Sequence, residues 1–95
     1  MNKYEIMFVV RPDMEEAEIK ATAEEMKKVL TDEKVNFVEE KNMGQRELAY
    51  EVKKFKTGYY FLYIVEADSK TIDEFDRVVR INEKVIRHLI VRVEE

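Results

Sequence analysis

Residues 43–60 decide the fold, and they read Met-Gly-Gln-Arg-Glu-Leu-Ala-Tyr-Glu-Val-Lys-Lys-Phe-Lys-Thr-Gly-Tyr-Tyr. Leu48, Tyr50 and Val52 alternate with polar or small residues, which is typical of a strand that has one face against a core. Gly44 precedes this alternation, at a position where a long strand needs a bulge or a bend. Lysines then dominate residues 53–58, before a second aromatic run begins. The stretch therefore predicts a bent strand, a basic turn and a returning strand.

Two helices and the remaining strands are predicted on either side of this hairpin. The predicted strands are residues 3–10, residues 35–41 joined through Gly44 to 48–52, residues 59–66 and residues 85–93. The predicted helices are residues 15–32 and a segment from Asp68 or Ser69 to Ile81. Apolar residues recur at helical spacing in both helices. Asn82 is expected to end the second helix in the left-handed conformation that asparagine tolerates.

The predicted order of elements is βαββαβ, which restricts the architecture. Right-handed crossovers place both helices on the same face of a four-stranded antiparallel sheet. This is the ferredoxin-like α+β arrangement. Residues 3–10 and 59–66 are apolar on both sides, so we expect them to be the two interior strands. We expect one domain over residues 1–95, with no linker and no tail.

Composition excludes several classes of function. The chain contains no cysteine and one histidine, which excludes a disulfide framework, a thiolate zinc site and a histidine metal cluster. Two glycines are too few for a phosphate-cradling loop. His88 has no serine or cysteine partner at a useful spacing, so it is expected to be structural, with a phosphate contact as the alternative. The sequence therefore predicts a protein that is not an enzyme and takes no cofactor, metal or small-molecule substrate.

No targeting or membrane segment is predicted. The amino-terminal residues lack the long apolar run of a signal peptide. No apolar stretch approaches the length that a membrane span needs. The expectation is intracellular residence, without a membrane as partner.

The charge distribution is more informative than the net charge of −4. Residues 41–58 carry five bases and two acids, and residues 77–92 carry five bases and one acid. Two basic segments therefore interrupt an acidic chain. They are either solvated surface that balances acids elsewhere or contacts to an anionic partner.

The sheet face opposite the helices is predicted to be apolar. Strand alternation assigns to it Met7, Val9, Tyr60, Leu62, Ile64, Leu89 and Val91, with Lys3 and Arg87 at the rim. An apolar patch rimmed by cations usually marks a binding surface, although a sheet face can also tolerate a few apolar residues. Aromatic residues on a sheet can stack RNA bases, but the sequence motif of RNA-recognition modules is absent. We therefore assign the tyrosines of residues 59–63 to the core and to a protein interface.

Four segments resemble the bacterial ribosomal protein S6 family. They are Tyr-Glu-Ile-Met-Phe-Val-Val-Arg-Pro-Asp at 4–13, Gly-Gln-Arg-Glu-Leu-Ala-Tyr at 44–50, Gly-Tyr-Tyr at 58–60 and Arg-Ile-Asn-Glu-Lys-Val-Ile-Arg at 80–87. The resemblance covers essentially the whole chain in order. It implies the same βαββαβ fold and a structural role in the small subunit of the cytoplasmic ribosome. It also implies binding to the central domain of 16S ribosomal RNA together with ribosomal protein S18.

The resemblance and the charge pattern together suggest site residues. The expected phosphate contacts are Lys3, Arg46, Lys53, Lys54, Lys56, Arg80, Arg87 and Arg92. Arg46, Arg80 and Arg87 lie inside the segments that resemble the family. The apolar sheet face is expected to bind ribosomal protein S18. Because the protein is acidic and its phosphate contacts are few, we expect weak RNA binding by the protein alone and joint binding by the pair.

A second class of function fits the same topology. A protein-interaction or small-ligand regulatory domain would pair its sheets edge to edge as a homodimer and would not bind RNA. Sedimentation at micromolar concentration distinguishes the two classes, because a stable dimer without RNA binding favours the second.

Overall fold

The chain folds as βαββαβ, which confirms the predicted order of elements. A computed structural model describes residues 2–93. The strands are β1 (Asn2–Val10), β2 (Asn36–Val52), β3 (Phe55–Ala67) and β4 (Val85–Val93), and the helices are α1 (Glu16–Asp32) and α2 (Ser69–Ile81). Neighbouring strands are antiparallel in the order β2-β3-β1-β4. The predicted interior strands, β1 and β3, are therefore confirmed.

The core lies between the helices and one face of the sheet. Alternate residues of β1 and β3 enter it, and Phe8 stacks on Phe61 with ring centroids 5.3 Å apart. From the helices, Met26, Leu30 and Phe75 join this cluster and have no exposed surface. Burial of each such side chain stabilises the fold by roughly 1.5–3 kcal/mol. This one-sided packing leaves the opposite face of the sheet without a covering layer.

Gly44 forms the predicted bulge in β2. The pairing of β2 with β3 shifts register between Asn42 and Gly44. Gly44 has a φ of +75°, in the left-handed region that glycine adopts without steric cost. The amide of Gly44 donates to Oδ1 of Asn42 over 3.0 Å, which closes the bulge locally. Gly44 and Asn42, which lies two residues before it, therefore produce the bulge in the long strand.

The predicted basic turn over residues 53–58 is too long. Only Lys53 and Lys54 form the turn, with φ values of 49° and 71°, and β3 already begins at Phe55. Thr57 and Gly58 pair with β2 as strand residues. A two-residue turn with both φ values positive matches the right-handed twist of the strands it joins. The sequence did not predict this two-residue turn, because lysine rarely occupies the left-handed positions that asparagine and glycine usually take.

The prediction that Leu48, Tyr50 and Val52 pack against the core is wrong. Tyr50 is 61% exposed, while Leu48 and Val52 are half-buried and lie outside the core cluster. Pairing between β1 and β3 ends at Tyr59. The end of the β2–β3 hairpin therefore extends beyond the interior strands, where no core is available to it. Alternation in the sequence describes the faces of a strand but not what lies against them.

The helix ends differ partly from expectation. Asp68 occupies the N-cap position of α2, but its side chain makes no capping hydrogen bond. Asn82 has φ −83° and ψ 112°, so the predicted left-handed cap is wrong. Its Oδ1 instead accepts a 2.9 Å hydrogen bond from the amide of Lys84, which stabilises the tight connection into β4.

Candidate functional site

The uncovered sheet face carries apolar side chains in two neighbouring rows, and Glu5 interrupts the second row. In the sheet, Met7 of β1 lies between Leu62 of β3 and Leu89 of β4. The next row places Ile64 and Val91 on either side of Glu5. Leu89 and Val91 are 49% and 45% exposed. We call Met7, Leu62, Ile64, Leu89 and Val91 the apolar open face.

Val9 and Tyr60 lie at one end of this surface and differ in accessibility. Val9 pairs with Tyr60 on one side and with Arg87 on the other. Tyr60 is half-buried, whereas Val9 has no exposed surface. The side chain of Val9 is therefore not accessible to a partner, and its assignment to the predicted interface is corrected. Its burial comes from this chain's own packing beside Gly58, where an added Cβ would lie 2.3 Å from Cγ1 of Val9.

Tyr50 and Arg87 meet beyond this end of the open face. Nη1 of Arg87 donates a 2.6 Å hydrogen bond to the hydroxyl of Tyr50. The guanidinium also lies over the tyrosine ring, with Cζ 5.1 Å from the ring centroid. The contact joins β2 to β4, the two edge strands, across the end of the interior pair. The sequence predicted Arg87 as a phosphate contact. It did not indicate Tyr50 as the partner of Arg87, because the two residues are 37 positions apart in the chain.

The hairpin end presents further cations. Lys53, Lys54 and Lys56 are exposed, and none forms an ion pair with any residue in the range 2–93. Arg46 is exposed as well, and its Nε donates to the carbonyl of Met43 over 3.2 Å. We call Arg46, Lys53, Lys54 and Lys56 the cationic hairpin end. Glu47 and Glu51 lie in the same hairpin, but within residues 2–93 they form no ion pair with these four cations.

The remaining predicted RNA contacts lie elsewhere. Arg80 is on α2, in the helical layer, and pairs with Asp76. Arg92 donates from Nη2 to Oδ1 of Asn2 over 3.0 Å. Lys3 pairs with Val93 in the strand register, at the opposite end of β1 from Val9. The structure therefore brings Arg87 and the cationic hairpin end to one end of the molecule but does not unite all the predicted basic residues.

His88 has a structural partner that sequence analysis did not identify. Its Nε2 lies 2.7 Å from Oδ1 of Asp76, and the other oxygen of Asp76 pairs with Arg80. The hydrogen bond from His88, supported by the nearby charge of Arg80, lowers the pKa of the Asp76 carboxyl. The contact ties β4 to α2. It supports the expected structural role of His88.

Loss of the Asp76 charge is expected to destabilise the fold in a pH-dependent manner. Because the folded-state pKa of Asp76 is lowered, its stabilising contribution is present above the ordinary aspartate value of about 3.9 and is lost as the pH falls through the folded pKa. Asp76→Asn should therefore be less stable than the unchanged protein at pH 7, and this difference should shrink toward pH 3. Urea unfolding at both pH values measures it. Asp73→Asn, on the exposed face of the same helix, is the control, and a difference that is constant with pH would contradict the assignment.

Among residues 2–93, no helix has both the length and the apolarity to cross a membrane. Within the same range, no three acidic, histidine or cysteine side chains are grouped so as to hold a metal ion.

Comparisons with known proteins agree with this architecture. The family model described as ribosomal protein S6 matches residues 3–92. The chain is 46% identical to small ribosomal subunit protein bS6 of Halalkalibacterium halodurans over 95 residues, which is all of both chains. It superposes on the crystal structure of 30S ribosomal protein S6 from Thermotoga maritima with a TM-score of 0.91 and 30% identity, covering 97% of this chain and 87% of that one. The chain therefore belongs to the ribosomal protein S6 family and is a structural, non-enzymatic protein of the small subunit of the cytoplasmic ribosome.

Proposed function

We propose that this protein binds the central domain of 16S ribosomal RNA jointly with ribosomal protein S18. The observation that carries the proposal is the separation of its two surfaces. The apolar open face offers an area for a protein partner, and the cationic hairpin end offers phosphates four cations that form no ion pair within residues 2–93. One side of the sheet is thus suited to protein, and one end of it to RNA.

The apolar open face fits a basic protein such as ribosomal protein S18. Apolar residues that are half exposed in the free chain become the buried centre of an interface. An acidic residue lies within this face, because Glu5 stands between Ile64 and Val91. At the β2 edge, Glu39 pairs with Ile64 and forms a 3.3 Å ion pair with Lys41. Complementary charge at an interface steers association and selects the partner. A basic partner would therefore meet both the apolar area and the carboxylate of Glu5 within it.

The cations suit RNA backbone more than base recognition. Lysine makes point-charge contacts to phosphates and carries little sequence information. Each phosphate that is neutralised releases counterions and makes binding salt-dependent. With a net charge of −4, the protein alone has a weak general attraction to RNA. A basic partner that extends the cationic surface would overcome this deficit.

Titration of an RNA fragment from the 16S central domain tests the proposal. The protein alone, ribosomal protein S18 alone and the equimolar pair are compared at about 50, 100 and 200 mM salt, where phosphate contacts differ strongly in strength. We expect weak binding by each protein alone and tight, salt-dependent binding by the pair. A duplex RNA of the same length is the control. Tight and salt-insensitive binding by this protein alone would contradict the joint surface, as would a pair that binds no better than S18.

An edge-to-edge homodimer remains the competing arrangement. The two edge strands, β2 and β4, are the elements that would form it. Sedimentation of the isolated protein at micromolar concentration, followed by addition of S18, separates the two. We expect a monomer that enters a heterodimer. A homodimer that persists with S18 present and does not bind RNA would favour the alternative.

A further inference from the structure

We infer that Tyr50, held in place by Arg87, stacks on an unpaired base of the bound RNA. The inference rests on the proposed RNA-binding function and specifies one part of it. It assigns a role to a tyrosine that neither the core nor the apolar open face contains. It also names the RNA element that the hairpin end binds, which is a single-stranded nucleotide rather than a duplex.

The ring of Tyr50 is accessible to a partner. Tyr50 remains 61% exposed although Arg87 lies over it and bonds its hydroxyl. A large aromatic side chain gains little from this exposure in the free protein, since its apolar surface stays in water. The guanidinium holds the hydroxyl and covers one face of the ring, and the ring surface that it does not cover stays open. A ring that is held in position and exposed to solvent is preorganised to stack on another planar group.

Cations outnumber the two carboxylates, Glu47 and Glu51, at the hairpin end that carries Tyr50. Lys53 and Lys54 follow Tyr50 on the same hairpin and form the two-residue turn. They are exposed and form no ion pair with described residues. Single-stranded RNA is bound by this combination of aromatic rings for bases and cations for the backbone. The lysines are therefore placed to meet the phosphates that flank a stacked base.

The form of the RNA decides whether a protein ring can stack on its bases. Bases of an A-form duplex are stacked on one another, so a protein ring cannot reach their faces. Loops, bulges and strand ends present unstacked bases to aromatic side chains and to arginine planes. A protein partner is favoured instead at the apolar open face, where the contiguous apolar side chains lie. Tyr50 lies at the hairpin end, where the four cations of the cationic hairpin end outnumber Glu47 and Glu51, so RNA fits this end better than an apolar protein surface does.

Two substitutions at Tyr50 separate stacking from structure. In the pair with S18, Tyr50→Ala should weaken binding to the 16S central-domain fragment by roughly 5- to 150-fold, the range for loss of one stacked base. Tyr50→Phe loses the hydrogen bond to Arg87 but keeps the ring and the guanidinium over it, so it should stay within about threefold of the unchanged protein. The dependence of affinity on salt should not change in either variant, because no phosphate contact is removed. Ile81→Ala, an exposed apolar truncation on α2, is the matched control.

Tryptophan at this position supplies a direct readout. The chain contains no tryptophan, so Tyr50→Trp introduces a single indole. Its fluorescence, taken as the difference from the unsubstituted pair, should be quenched when the RNA fragment binds. The same experiment with a fully duplex RNA should show no quenching. Thermal unfolding of each variant checks that the fold is retained.

Several results would overturn the inference while leaving the proposed function intact. These are RNA binding by the Tyr50→Ala pair with unchanged affinity, equal weakening by Tyr50→Phe, a shallower salt dependence, or unquenched tryptophan in an RNA-bound pair. Weaker binding of S18 itself by the Tyr50→Ala variant would also overturn the inference. Such a loss would place the ring of Tyr50 in the protein interface. If the unsubstituted pair fails to bind the RNA fragment, the proposed function fails instead.

Discussion

Leu62→Glu combined with Ile64→Glu is expected to weaken binding of ribosomal protein S18 by at least about 30-fold while the protein still folds. Both side chains lie in the apolar open face and are half-buried in the free chain. In an S18 interface each carboxylate would be buried without a partner, at a cost of roughly 1–3 kcal/mol. Two such costs together are at least about 2 kcal/mol. This exceeds the 1.4 kcal/mol that corresponds to a tenfold change in affinity. Calorimetric titration of S18 into the variant measures the loss.

The control for this experiment is a charge placed on another exposed apolar residue. Ile81 is 68% exposed and lies at the end of α2, in the helical layer on the other side of the sheet from the open face. Ile81→Glu should leave S18 binding within about threefold of the unchanged protein, as most surface substitutions do. Thermal unfolding should show the double variant folded. Equal binding of S18 by the double variant would show that the partner uses a different surface.

Gly58→Ala is expected to destabilise the fold by roughly 1–3 kcal/mol, the usual cost of overpacking a tight site. A Cβ on Gly58 would lie 2.3 Å from Cγ1 of Val9 and 3.4 Å from the carbonyl oxygen of Val10. Val9 is fully buried and β-branched, so it has little freedom to move aside. The φ angle of Gly58 is not in the left-handed region, so the cost is steric. Urea unfolding at neutral pH measures it.

A second substitution identifies the cause of this loss. Val9→Ala removes the methyl group that the new Cβ would meet. In the double variant, Gly58→Ala should cost less than it does beside valine, with a coupling of about 0.5–3 kcal/mol between the two positions. If the two losses simply add, the steric contact does not explain the effect of Gly58→Ala.

Local patterns were sufficient to predict the layout of this fold. The strands that are apolar on both sides are the interior strands, and the bulge falls at Gly44. Period-two alternation and left-handed glycine positions depend on a few neighbouring residues, so a single sequence displays them. The apolar open face followed from the same alternation. Met7, Leu62 and Leu89 form one row of this face, because the antiparallel register places them side by side.

Local patterns failed at the end of the hairpin. Alternation assigned Tyr50 to the core, but the core ends where pairing between β1 and β3 ends, at Tyr59. Lysine content suggested a long turn, while the chain turns within two residues. Accessibility also differed along one face, since Val9 is covered and Val91 is open. Each error concerns what surrounds a residue, which alternation along one strand does not contain.

The sequence by itself determined the order of the elements, the interior strands, the bulge and the family, because each depends on residues that are neighbours in the chain or on their order. Only the tertiary structure decided which distant side chains meet. Tyr50 bonds Arg87 across 37 positions of sequence, and Asp76 bonds His88 across 12. Such contacts depend on the twist of the sheet and on the seating of α2 upon it, which are fixed by the packing of the whole core. The stretch 43–60 thus specified a hairpin, and the folded chain joined Tyr50 to Arg87 beside Arg46 and three lysines that form no ion pair within residues 2–93.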